Sequence, residues 1–262
     1  MCHKMASRTK GSVTATCPRA SVAWRARKVA KREAKAIQGA YGTFEIDRED
    51  EKEVAVYRGA LTTAAVCAGA TLGTLQWLPN EALHTNANAL DALWMTANAS
   101  LAVATVMIHI YVKPLKQFLQ VLCGLGALGA LGVHLRFPDE AIALSFSDHA
   151  WTTLVVGPAF AALTGIAFKE GVCYGKTEAF ALFVLTPIAC LSHLASAPEQ
   201  AQATLWGLWA VIFTTFAARK YTQEVAEDVG DKSVFWFLSL PEDEQAKVLA
   251  NVQKQTVVSV DE

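Results

Sequence analysis

Between Lys169 and Glu178, two lysines and two glutamates interrupt long apolar runs, making this turn the densest polar feature near the membrane. Glu170 and Glu178 would make an acid and base pair only where a pocket separated their pKa values. Lys169 can pair with Glu170, or lay its stem along lipid and lift its ammonium to the headgroups. Gly171 and Gly175 fit a tight turn. Three histidines invite comparison, because imidazole binds haem, chlorophyll and metals. His134 and His193 approach one side of the membrane and His109 the other, but the first two lie on different helices with no ligand spacing between them. Hydrogen bonding near the interface is the preferred reading. Asn98 is the most central polar residue, with Thr96, Ser100 and Thr105 nearby, and polar groups at bilayer depth demand an explanation. A helix-to-helix hydrogen bond is preferred there over a transport path. The cysteines, at 2, 17, 67, 123, 173 and 190, show no metal-ligand spacing and read as small hydrophobes. No phosphate-binding glycine loop, nucleophile elbow, zinc helix or kinase signature occurs, so no catalytic or metal site is assigned and the cofactor is left unspecified.

The elements that must position these groups are membrane helices. Hydrophobic residues make up 53% of the 262 and charged ones only 18%, a lipid-dissolved composition. Runs of about 20 apolar residues cross a bilayer as helices, since a helix satisfies its own amides in lipid. Six are read: Gly59 to Leu78, Ala92 to Val112, Gln117 to Leu135, Ala150 to Phe168, Ala179 to Ala197 and Ala203 to Ala218. Pro187 permits a kink in the fifth. The fold class is all-α, a polytopic helical bundle with a short surface helix near the C-terminus.

Charge places the bundle and divides the chain. Residues 1–40 hold ten of the 23 basic residues and one of the 24 acidic ones, the profile of an organelle transit peptide rather than a nucleic-acid-binding arm. Residues 41–57 form an acidic, solvated approach, 58–220 the transmembrane domain and 221–262 a tail. Within that tail, Ser239 and Glu242 suggest a capping box, and Phe235 to Leu238 an interfacial cluster. Arg58, Lys113, Lys116, Lys169, Lys176, Arg219 and Lys220 fall on the side of both termini and only Arg136 on the other, so the termini face the cytoplasm-equivalent compartment. Small residues recur as Ala65, Gly69, Gly73; as Gly126, Gly129, Gly132; and as Gly157, Ala161, Gly165. Such stripes let backbones approach, here within one bundle in preference to a dimer seam.

The stretches GTFEI from Gly42, VYRGAL from Val56, IHIYVKPL from Ile108, FAALTGIAFKEGVCYGKTEA from Phe160 and GDKSVF from Gly230 together resemble an uncharacterised integral membrane protein family of cyanobacteria and plastids, domain of unknown function 2301. The resemblance implies a multi-pass protein of a photosynthetic membrane, thylakoid or inner envelope, with both termini in the stroma. Composition alone also permits the mitochondrial inner membrane. A stromal working surface is expected from Arg58, His109, Lys113, Lys169, Glu170, Glu178, Asp231 and Lys232. The expected role is a non-enzymatic accessory or assembly protein partnered by the bilayer and photosynthetic complexes, without nucleic acid. A small-solute or ion transporter using Asn98 is the alternative.

Overall fold

An apolar chain with few outside partners bonds its backbone to itself, and helix is the dominant result. The computed structural model describes residues 36–260, so the expected leader lies outside the described residues up to residue 35. Its last part does not: β1 (Ile37–Gln38) pairs antiparallel with β2 (Thr43–Phe44), Ile37 opposite Phe44. Helix α1 (Arg48–Trp77) follows at once. Asp47 caps it by accepting the Glu49 and Asp50 amides at 2.7 and 3.0 Å, and Asp50 returns the bond to the Asp47 amide at 2.7 Å. The acids expected to be solvated are thus in part a helix start, where carboxylates answer orphan amides and the positive end of the dipole.

After the short α2 (Asn80–Thr85) come α3 (Ala87–Met107) and α4 (Lys113–Arg136), the latter with proline in its first turn. Next are α5 (Ile142–Asp148), α6 (Thr153–Phe168), α7 (Thr177–Leu194) and α8 (Glu199–Arg219). A tail of α9 (Val225–Val229), α10 (Lys232–Ser239) and α11 (Glu242–Val260) ends the described chain. The capping box expected at Ser239 does not form, because its hydroxyl donates back to the Trp236 carbonyl at 2.6 Å and closes α10 instead.

Among the described residues, five segments are long and apolar enough to cross a membrane: Ala87–Met107, Lys113–Arg136, Ala150–Val172, Thr177–Leu194 and Glu199–Thr222. The first expected span, Gly59 to Leu78, falls in α1, which is not among them but packs against α3 and α8 as part of the bundle. Threonines dilute its hydropathy. Thr62, Thr63, Thr71 and Thr74 each donate to the carbonyl four residues back, so their hydroxyls are satisfied within the helix. Gln76 near one end of α1 donates to Ala203 at the start of α8, while Arg58 near the other reaches Gln223 just beyond α8, so the two helices run antiparallel.

Glycine sets the closest seam. A Cβ on Gly129 would lie 1.9 Å from the Val155 carbonyl oxygen, and one on Gly126 would lie 2.6 Å from the Ala159 amide nitrogen. Gly165 likewise admits Leu119. These pairings align α4 and α6 antiparallel over three contacts and assign Gly126, Gly129 and Gly165 of the third and fourth stripes to packing inside the bundle, whereas Gly132 meets nothing within 4 Å. The α1 stripe does not share this role: Gly73 meets nothing within 4 Å, and Gly69 only the Thr214 hydroxyl at 3.9 Å.

Candidate functional site

At the end of the bundle where α1 begins and α8 stops, α6 continues into a π turn, Lys169–Cys173. Gly171 makes the turn possible, since a Cβ there would sit 2.5 Å from the Phe180 amide nitrogen of α7. Gly175, at φ +67°, reverses the chain into α7. The turn holds Lys169 and Glu170 inward, where they join three groups from distant segments. Lys220 bridges two carboxylates, with Nζ 2.6 Å from Glu170 Oε2 and 2.6 Å from Asp228 Oδ1. Arg58 meets the other Asp228 oxygen through Nε at 2.7 Å and donates to the Gln223 and Glu224 carbonyls at 3.0 and 3.1 Å. Lys169 donates to the Asp228 backbone carbonyl at 3.1 Å.

All five side chains are buried, Lys220 completely. Three cations thus face two carboxylates in a site shut off from water, where each unpaired ion costs several kcal/mol. Mutual contact offsets that cost, and the Tyr57 and Phe216 rings near the Lys220 ammonium, at 5.6 and 5.7 Å, add quadrupole attraction. Two polar atoms stay without a hydrogen-bond partner: the Tyr57 hydroxyl and Glu170 Oε1. The latter lies 3.5 Å from Lys169 Nζ, within ion-pair range but without hydrogen-bond geometry. Each carboxylate of the network pairs with at least one cation, Asp228 with Arg58 and Lys220 and Glu170 with Lys220.

A second set of contacts, beside this network, ties the β1–β2 hairpin and the start of α1 to α10. Asp231 Oδ2 accepts the Ala40 amide at 2.6 Å, and its Oδ1 accepts from the Ser233 amide and hydroxyl at 2.8 and 2.6 Å. Burial pushes the Asp231 carboxyl up, but the bonds from Ser233 and Ala40 outweigh it and leave the group below the usual carboxylate range. Ser233 in turn accepts the Tyr41 amide at 3.0 Å, and Tyr41 stacks on Phe237 with ring centres 4.0 Å apart. Gly39 has no room for a Cβ, which would fall 2.2 Å from Asp231 Oδ1. Lys232 reaches Asp50 at 2.8 Å and Asp47 at 3.5 Å. Burial lowers the Lys232 ammonium, yet Asp50 and Asp47 together hold it above its ordinary value. Gly230, at φ +78°, turns α9 into α10 beneath the Tyr111 hydroxyl, which accepts the Asp231 amide at 2.6 Å. Lys176 bonds Glu227, and that bond holds the Glu227 carboxyl low.

The residues expected to form one surface therefore divide. Arg58, Lys169 and Glu170 meet in the buried network, and Asp231 and Lys232 clamp the hairpin to α10. Glu178, also buried, takes Arg219 at 3.0 Å through one oxygen. His109 Nε2 sits 3.1 Å from Glu53 Oε2 on the link between α3 and α4. Burial lowers the His109 pKa, opposed by Glu53 and assisted by Lys169 and Lys116. Lys113 is exposed at the first position of α4. Sequence reasoning missed Lys220 as a bridging cation and Asp228 altogether. Lys220 reads as a stop charge after a span and Asp228 as one acid among several in a polar tail, so neither carries a local signal.

At membrane depth Asn98 donates to the Trp94 carbonyl four residues back at 3.0 Å, so its amide bonds within its own helix where a helix-to-helix bond was expected. The bond across α3 and α4 belongs to Gln120, which reaches the Thr105 carbonyl at 3.4 Å. His134 and His193 are not brought together. His134 Nδ1 lies 3.4 Å from Asp91, whereas His193 is buried between the Gln202 side-chain oxygen at 2.6 Å and the Phe146 carbonyl at 2.7 Å. Among the described residues no group of three or more His, Cys, Asp or Glu side chains is gathered for a metal.

A family described as an uncharacterised integral membrane protein (DUF2301) matches residues 103–237, just over half of the chain. No curated protein and no solved structure matches.

Proposed function

We propose, from the premise that this chain belongs to that uncharacterised integral membrane protein family, that it is a non-enzymatic accessory or assembly protein of a photosynthetic membrane. The observation that carries the reading is the commitment of the buried charges to holding the tail: Arg58, Lys169 and Lys220 all bond the segment 223–228. A chain that fixes the segment after α8 in this way builds a platform on one end of the bundle, from which α10 turns Trp236 and Leu238 outward and α11 extends. The basic leader composition and the plastid resemblance support thylakoid or inner envelope, with the platform in the stroma. Lys113 and the exposed residues in the first part of α11, Glu242 to Glu244 and Leu249 among them, are offered for partner contact.

The test is migration of the full chain after gentle solubilisation of the photosynthetic membrane. Co-migration with a larger complex, lost on removing residues 242–260, is the expected result. Free monomer alone in every detergent would sink the docking role. The transport alternative finds one supporting feature, the polar lining at Asn98 and Gln120, and is read by liposome flux with Asn98→Leu as the comparison. Flux that the substitution leaves unchanged removes that route.

A further inference from the structure

Independently of the platform, the opposite end of the bundle holds a hydrogen-bonded relay across three helices. His193, in the last turn of α7, is 4% exposed, and both of its ring nitrogens face oxygen. Nδ1 lies 2.6 Å from Gln202 Oε1 on α8, and Nε2 lies 2.7 Å from the Phe146 carbonyl near the end of α5. The Gln202 amide is fixed in this orientation, because its Nε2 donates to the Ala197 carbonyl at 2.6 Å. Turning it over would set two oxygens against each other there. Both atoms facing the imidazole are therefore acceptors, and a neutral imidazole has one N–H to offer whereas the imidazolium has two. Only the protonated ring completes the relay. The neutral ring sets a bare nitrogen lone pair against an oxygen in a buried place, where an unmade bond is costly.

What the relay holds is the turn between α7 and α8. Ser196 there has φ +52°, a left-handed backbone that a residue with a Cβ adopts at a cost, and Gln202 ties the next residue, Ala197, back to α8. The same turn walls a vestibule of about 500 Å³, with Ser196, Ala197 and Gln202 on one side and Asp148 and Gln76 on others. Gln76, Asp148 and Ser196 are exposed, so the vestibule meets water, and His193 lies on its lining. The titratable groups around the ring are Asp148 and His149 at the end of α5 and Glu199 at the start of α8, while α1 brings only the uncharged Gln76. His149 stacks on Phe137 instead, and among the described residues the ion-paired histidines are His109 and His134. The second proton of His193 is thus held by two neutral oxygens and no carboxylate.

We propose that His193 is a proton-operated latch: protonated, it ties α5, α7 and α8 together and fixes the α7–α8 turn against the vestibule, and deprotonated, it releases Gln202 and with it the turn. The folded turn favours the protonated ring. The latch is therefore closed at low pH and opens as pH rises through about 5 to 8, the window in which histidine loses its charge.

The experiment is hydrogen exchange of the backbone amides from Ala195 to Ala203 in the full chain in lipid nanodiscs, from about pH 5.5 to 8, expressed as protection after correction for the intrinsic exchange rates. Protection in the native chain is expected to fall about ten- to a hundredfold across that range, the size of one hydrogen bond to a charged group. His193→Gln has no titrating ring and should give a flat profile. Gln202→Met keeps the histidine but removes the oxygen that demands its second N–H, and should flatten the profile as well. A flat native profile overturns the proposal without relying on any variant. So does a fall of native size that survives in His193→Gln or in Gln202→Met, which would assign the pH dependence to Asp148, His149 or Glu199.

Discussion

Replacing Asp228 by asparagine tests whether the buried charges hold the tail. Its carboxylate faces Arg58 at 2.5 Å and Lys220 at 2.6 Å and is 1% exposed, and asparagine preserves the shape while removing the charge. Three cations would then share Glu170 alone. Breaking a buried pair by deleting one partner costs about 3–5 kcal/mol, or roughly 10²- to 5 × 10³-fold in the equilibrium for local opening. Hydrogen exchange of the 223–231 backbone amides in nanodiscs reads that equilibrium directly. Glu227→Gln, at the adjacent position, is the control: its pair with Lys176 is 40% exposed on the Glu227 side, and an exposed pair is worth about 0–1 kcal/mol. A Lys220→Met, Asp228→Asn double variant restores the original excess of one cation and should recover part of the lost protection. Equal protection in Asp228→Asn and Glu227→Gln would refute the reasoning, as would a double variant more open than the single one.

Two further expectations follow from close contacts elsewhere. Gly129→Ala should lower thermal stability in detergent by about 1–3 kcal/mol, the cost of overpacking, because its Cβ meets backbone on α6; Gly132→Ala, which meets nothing within 4 Å, should leave the melting temperature unchanged. Equal effects of the two would refute the assigned α4–α6 seam. The Asp231 carboxyl is depressed from 3.8 in the folded state, so its contribution is present above the ordinary carboxylate range and is lost as pH falls through the depressed value. Amide protection over 37–44 should therefore hold steady from pH 7 down to about 4.5, and its loss above pH 5 would show that Asp231 does not anchor the hairpin.

What could be read from the sequence follows the range of the forces involved. Burying backbone in lipid acts on every run of about 20 residues, so spans and their ends are written locally, in apolar runs stopped by Lys113, Arg136 or Arg219. Glycine stripes are also local, but their use depends on the neighbour: Gly129 admits the Val155 carbonyl, whereas Gly73 faces open space at similar spacing. Ion pairing carries no such pattern. Arg58 and Asp228 are 170 residues apart, and only the antiparallel course of α1 and α8 brings them together. The expectation of a charged surface gathered at one end of the bundle was available from the count of positive loops. That Arg58, Lys169 and Glu170 would turn inward was not, because the cation that joins them, Lys220, has the ordinary appearance of a helix stop and its second carboxylate lies in the tail. The same logic separates Asn98 from Trp94. A central asparagine stands out in any hydrophobic run, yet it closes on its own helix, while one of the groups left unsatisfied is an indole nitrogen that composition counts as part of an aromatic, apolar side chain. A polar atom at membrane depth matters by whether its hydrogen bond is made, and that depends on neighbours that only the folded bundle supplies.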